Sequence, residues 1–221
     1  MNTVQNLEIP LRKLSHVVGL CLALVLPAGL LTLASLGWLD NITFEIAFWS
    51  IALILVLYTL LVEQLPLSSL GFGTFRYKDV LWGVALGLLL LLVFPIASVI
   101  VKLIGFEVSQ ENAKALAGMP TYALFLLALR AAVTEEIIYR AYPVERLIAL
   151  TGSKVLAAGV PITVFIISHF SWGMGHLVFV TLAGGLLTVF YLWKRNVWVN
   201  IIGHFLVDFA AFMLLPVLMK G

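Results

Sequence analysis

Charge is what this 221-residue chain has least of: charged residues make up 11% of it and hydrophobic ones 62%, with a mean hydropathy of +1.12. A water-facing domain of this size is roughly a quarter charged. With less than half of that, the chain has too little charge to coat a soluble globule, and it is far too apolar to stay disordered. Basic excess is missing as well. The net charge is +2, so the electrostatic footprint of a nucleic-acid-binding surface is absent. A single cysteine, Cys21, excludes an intrachain disulfide. It lacks the small preceding residue of a lipoprotein site and reads as a helix residue facing lipid or a neighbouring helix. Gly (17) and Pro (8) are too few for a low-complexity chain, and no internal repeat is evident.

What is abundant is long apolar runs. A hydrocarbon core about 30 Å thick needs about 20 apolar residues of helix. Seven segments meet or approach that length: 14–39, 44–62, 80–101, 120–140, 155–170, 176–193 and 197–218. The fourth can continue as an interfacial helix to Leu150, and Pro143 and Pro161 interrupt the fourth and fifth. The first has no basic region followed by a small-residue cleavage site, so it reads as an anchor and not as a removable signal. Residues 63–79 and 102–119, the latter with Lys102, Glu107, Glu111 and Lys114, read as polar loops. The expected fold is an all-α polytopic membrane helix bundle of about seven transmembrane helices. Residues 1–119 form its N-terminal part and 120–218 its core. With the N-terminus inside, the inner segments hold eight basic residues (Arg12, Lys13, Arg76, Lys78, Arg146, Lys154, Lys194, Arg195) and the outer segments three (Lys102, Lys114, Lys220). The cytoplasmic excess of Lys and Arg favours that orientation. Low charge and short loops suit a bacterial plasma membrane.

Polar residues inside the apolar spans carry the functional information, because a charge near mid-bilayer costs a few kcal/mol, on the order of 3 on insertion scales, and normally faces the bundle interior. Three segments hold them: AAVTEEIIYR, VFIISHF and VNIIGHFLVDF. In an α-helix, Glu136 and Arg140 share a stripe at i,i+4, whereas Glu135 lies about 100° round from Glu136. Glu136 is then neutralised by Arg140, and Glu135 is left available as a general acid or base. Tyr139, one turn on from Glu135, is placed to donate to it. The alternative for this segment is a helix-stabilising salt-bridge cluster at the membrane edge. Asn200, His204 and Asp208 form one stripe at i, i+4 and i+8. Asp208 orients His204 there, both ligate a metal, or the stripe is an interhelical hydrogen-bond ladder. His169 ends the fifth span as a ligand, a catalytic group or an interfacial residue. His176 is a spare candidate, His16 reads as interfacial, and Arg130 snorkels or pairs with a loop. Packed together, the three segments bring carboxylates and imidazoles into one wet pocket able to activate water, hold an oxyanion and protonate a leaving amine. A bound zinc can take part of that work.

EEIIYR matches EExxxR, FIISH matches FxxxH, and HFLVD matches Hxxx[ND]. In this order, on successive hydrophobic helices, they resemble the CPBP (Abi) intramembrane proteases. That family includes the type II CAAX prenyl endopeptidases and bacterial relatives linked to bacteriocin processing or self-immunity. The resemblance covers roughly residues 120–215 and extends loosely to LPLSSLGF before the third span. Ala141 stands where many members carry Gly, a change expected to alter packing more than chemistry. The resemblance implies that Glu135 activates the hydrolytic water and that Glu136 with Arg140 holds the helix and its electrostatics. It implies that His169 and His204 stabilise the oxyanion or ligate a metal, with Asp208 beside His204. Zinc or another divalent cation is thus an implied cofactor, with His169, His204 and Asp208 as its ligands, although no HExxH is present.

The expected activity is cleavage of a peptide bond in a membrane-associated substrate, of prenylated CAAX type or bacteriocin-related. Its partners are that substrate and the lipid bilayer, with no nucleic acid. Two rivals are a non-catalytic membrane scaffold or immunity protein, and a proton-coupled carrier relaying protons through Glu135, His169 and Asp208. The carrier would be favoured by matched halves with broken helices, which the sequence lacks.

Overall fold

The computed structural model describes residues 2–106, 114 and 116–218, with side chains placed over 13–106, 114 and 116–213. Glu107, Glu111 and Lys220 lie outside the described residues. Helix is the only extended regular structure among the described residues. The elements are α1 (Asn2–Ser35), α2 (Asn41–Leu61), α3 (Tyr77–Leu103), α4 (Thr121–Arg130), α5 (Tyr142–Thr151), α6 (Lys154–Ser168), α7 (Met174–Lys194) and α8 (Val197–Leu218). Four stretches, Lys13–Ser35, Asn41–Leu61, Tyr77–Leu103 and Met174–Lys194, are long and apolar enough to cross a membrane. Their outward faces are apolar too: Leu81, Leu88, Leu92, Ile96 and Val99 of α3 are all exposed. Exposed apolar surface on this scale suits lipid and not water. The protein is an all-α, multi-pass membrane helix bundle.

Helix ends follow local chemistry. Asp40 caps α2 by accepting from the Thr43 N–H at 2.9 Å. Ser153 caps α6 by accepting from the Leu156 N–H at 3.2 Å. Gly152, with φ +68°, closes α5 in the left-handed conformation that glycine adopts without strain. The polar stretch 63–79 is a loop only as far as Arg76. It contains a short 3-10 turn, Leu67–Leu70, and α3 begins at Tyr77.

The fourth expected span departs most from regular helix. From α4 the chain runs into two π-helical segments, Ala131–Glu135 and Ile137–Ala141, and then directly into α5. Pro143 falls in the first turn of α5, where the π-helical register gives way to α. The fifth span, α6, has only 15 residues and ends at Ser168. At 1.5 Å per residue it is about 22 Å long, short of a full crossing. It therefore ends within the thickness of the bundle.

Small residues decide the central packing. Along α3, Gly83 and Gly87 sit one turn apart, facing Gly203 of α8. A methyl added at Gly83 would lie 2.6 Å from Ile202, and one at Gly203 would lie 2.7 Å from Leu86. The backbones approach because no side chain separates them, the usual route to close helix contact in membranes. This contact holds the α8 turn that carries His204.

A candidate active site between three helices

Glu136 is the anchor. It is fully buried and accepts three hydrogen bonds: Arg140 Nη1 at 3.0 Å, His204 Nδ1 at 2.8 Å and Asn200 Nδ2 at 3.0 Å. The second N–H of Asn200 goes to the Leu187 carbonyl at 2.8 Å. Two acceptors around one amide nitrogen fix the amide's orientation. A buried carboxylate is tolerated only when so paired. The π-helical run and α8 are thereby pinned together. Arg140 is wholly buried, with its guanidinium 4.1 Å above the ring of Phe165. Gly184 of α7 leaves room for that ring, since a Cβ there would come within 3.0 Å of it.

The orienting partner of His204 is thus Glu136, across the helix interface. Asp208 stands on the other side of the imidazole, 3.4 Å from Nε2. Because a carboxylate can only accept, the Nδ1 atom of His204 carries a proton. His169 is fixed in the same way. Its Nδ1 donates to the Phe165 carbonyl at 2.8 Å, which leaves Nε2 as the lone-pair nitrogen of the neutral ring.

Glu135 is not the unpaired carboxylate expected from helical spacing. Arg130 donates Nη1–H to Glu135 Oε1 at 3.1 Å and Nε–H to Glu45 Oε2 of α2 at 2.9 Å. Five residues apart, Arg130 and Glu135 would lie about 140° apart on an α-helix. The π register, with its i→i+5 bonding, brings them together. Tyr139 makes no hydrogen bond to Glu135, and its ring packs edge-on against Phe165 at 5.2 Å. His16 packs inside the bundle. It is buried, with Nδ1 2.7 Å from Glu63.

One cavity of about 130 Å3 is lined by Glu135, His169, His204 and Asp208, together with Arg130 and His176. Glu135 lies 16 residues from Thr151 and His169 lies 15 from Lys154 across the α5–α6 turn, about 24 and 22 Å. The α7–α8 turn does not reach that level. Arg195 pairs with Glu145, and Tyr191 donates to the same carboxylate at 3.0 Å. From that level, Glu135 is ten residues up its helix and His204 nine up from Arg195. A short α6 and a raised α7–α8 turn thus bring the three side chains to one height.

His176 and Arg130 are the residues that spacing undervalued. The only signal for His176 was its type: the chain has four histidines, and three of them line this cavity. The Nδ1 atoms of His169 and His204 are both engaged, which leaves Nε2 as the nitrogen of each ring that could ligate. Among the described residues no three His, Cys, Asp or Glu side chains are grouped to hold a metal ion, so His169, His204 and Asp208 as placed do not form a three-ligand site.

The family comparison falls on this region. Residues 117–210 match the family described as type II CAAX prenyl endopeptidase Rce1-like. That stretch is Rce1-like. It contains all three motifs and every ionisable group of the cavity, while Glu45 lies outside it. No curated protein and no solved structure matches the chain.

Proposed function

We propose that the chain is an intramembrane endopeptidase that hydrolyses a peptide bond of a membrane-anchored substrate, with Glu135 as the base. The supporting observation is the shared cavity: a carboxylate, two imidazoles each held through Nδ1 and a second carboxylate, drawn from three helices, face one small space. Water held between Glu135 and the lone pair of His169 Nε2 loses a proton to the carboxylate as its oxygen attacks the carbonyl carbon. The charge that develops on the carbonyl oxygen falls to His204 as an imidazolium: Nδ1–H donates to Glu136, and Nε2–H, beside Asp208, donates to the oxyanion. Glu136, Arg140 and Asn200 act through His204 and touch no substrate.

A larger apolar cavity of about 710 Å3 lies between α2 and α4, lined by Ile42, Phe44, Trp49 and Leu126 among others. It shares Leu127, Arg130 and Trp172 with the small cavity. An apolar anchor such as a prenyl chain fits that lining, with the peptide passing Arg130 towards Glu135. The excess of basic residues in alternate loops supports an N-terminus on the cytoplasmic side, and the low charge and short loops suit a bacterial plasma membrane.

The test is cleavage of a farnesylated Cys-aliphatic-aliphatic-X peptide in proteoliposomes. Glu135→Gln keeps shape and hydrogen bonding but cannot take a proton. The expected loss is about 10²–10⁴-fold in kcat, the usual weight of a positioned base, with thermal stability retained. Cleavage at the wild-type rate by the Gln variant would overturn the assignment of Glu135. Absence of cleavage by the wild-type protein, over a library of anchored peptides, would overturn the endopeptidase reading.

A further inference from the structure

The scheme above leaves one proton unassigned. An amide nitrogen leaves only as an amine, so a proton must reach it as the C–N bond breaks. Glu135 holds the proton taken from water, on the side of the cavity where water attacks. His204 holds the oxyanion, and His169 has its only N–H tied to a carbonyl.

His176 is the remaining imidazole. It stands in the first turn of α7, just after Gly173, and lines the same cavity as Glu135. Its ring is stacked on Trp172 at 4.9 Å and flanked by His169 and Phe179, each at 6.0 Å. These rings fix the plane of the imidazole without using its nitrogens. Among the described residues, neither nitrogen has a hydrogen-bond partner. A half-buried imidazole with both nitrogens uncommitted and its plane clamped is suited to accept a proton on one nitrogen while donating from the other. None of the three family motifs includes it.

We propose that His176 is a further catalytic residue: it delivers the proton to the leaving amine. The inference rests on the endopeptidase reading. Once the water oxygen is bonded to carbon, an N–H of His176 gives its proton to the amide nitrogen. The C–N electron pair stays on nitrogen and the C=O bond re-forms. The second nitrogen of His176 takes the proton held on Glu135, through a water in the cavity; the carboxylate is restored and the imidazole is neutral again as its other tautomer, which proton exchange with cavity water resets before the next turnover. One water and one peptide bond become one carboxylic acid and one amine.

The experiment compares two farnesylated probes in proteoliposomes, a peptide and its depsipeptide with an ester at the scissile position. An ester's alkoxide leaves with far less need of a proton than an amide's nitrogen. His176→Gln and His176→Phe, the latter keeping the stack on Trp172, are each expected to lower kcat for the amide about 100-fold or more, with KM unchanged. Ester cleavage should change less than about threefold, whereas Glu135→Gln should depress both probes. Equal losses on amide and ester, or no loss on either, would overturn the role of His176 and leave the endopeptidase reading standing. If the wild-type protein cleaves neither probe, that reading falls and this inference with it.

Discussion

Arg130 shows how one side chain changes the chemistry of its neighbours. Its guanidinium spans Glu45 and Glu135, and it lies on the boundary of both cavities. Phe48 packs below it, 5.1 Å from the guanidinium carbon. Glu135, the proposed base, is therefore held from two helices, although it comes from one. A charge-assisted hydrogen bond of this kind contributes about 1.5–3 kcal/mol. Arg130→Met is accordingly expected to lower kcat about 10–100-fold, and steady-state cleavage assays check it. Arg130→Lys should recover only part of the loss, because one ammonium does not reproduce the planar fork that reaches both carboxylates.

Elements set the angles between these side chains. The two π-helical segments move Glu135 onto the face of Arg130 while leaving Glu136 one turn from Arg140. Alpha spacing describes the second pair and fails for the first. The α3–α8 contact is the other controlling element, since Gly203 precedes His204 and faces Leu86 at van der Waals limits. Gly83→Leu forces a side chain into Ile202 and pushes α8 away from α3. Overpacking of this kind costs about 1–3 kcal/mol. The expected result is a lower unfolding temperature in detergent together with reduced cleavage, as His204 is drawn off Glu136. Unchanged stability would mean that the two helices can slide apart without cost.

Across the whole molecule, buried polar groups hold the first two helices to the Rce1-like region. Glu63, in the turn after α2, accepts from His16 of α1 at 2.7 Å, Tyr142 at 2.8 Å and Arg146 at 2.8 and 2.6 Å. Burial raises the Glu63 carboxyl, but the hydrogen bonds and charge of Arg146, with His16 and Tyr142, outweigh it and hold the group below its ordinary range. A carboxyl lowered in the folded state contributes stability above its unfolded pKa and loses it as pH falls through the folded value. Thermal unfolding in detergent should therefore be flat above about pH 5 and fall below about pH 4. Glu63→Ala leaves Arg146 buried without its partner, a loss of about 3–5 kcal/mol for a broken buried pair. The same scan measures it.

Apolar run lengths were enough to define seven helical segments and a membrane setting, because lipid requires every span to be long, apolar and internally hydrogen-bonded. Identity and order along the chain also mark Glu135, Glu136, Arg140, His169, His204 and Asp208 as candidates, since ionisable groups are rare in apolar spans. Tertiary structure alone decided who partners whom. The bond from Glu136 to His204 joins residues 68 apart, that from Arg130 to Glu45 joins residues 85 apart, and neither leaves a local periodic trace. The π register, the early end of α6 and the raised α7–α8 turn depend on packing between helices. They bring Glu135, His169, His176 and His204 to one cavity, although the four come from separate stretches of the chain.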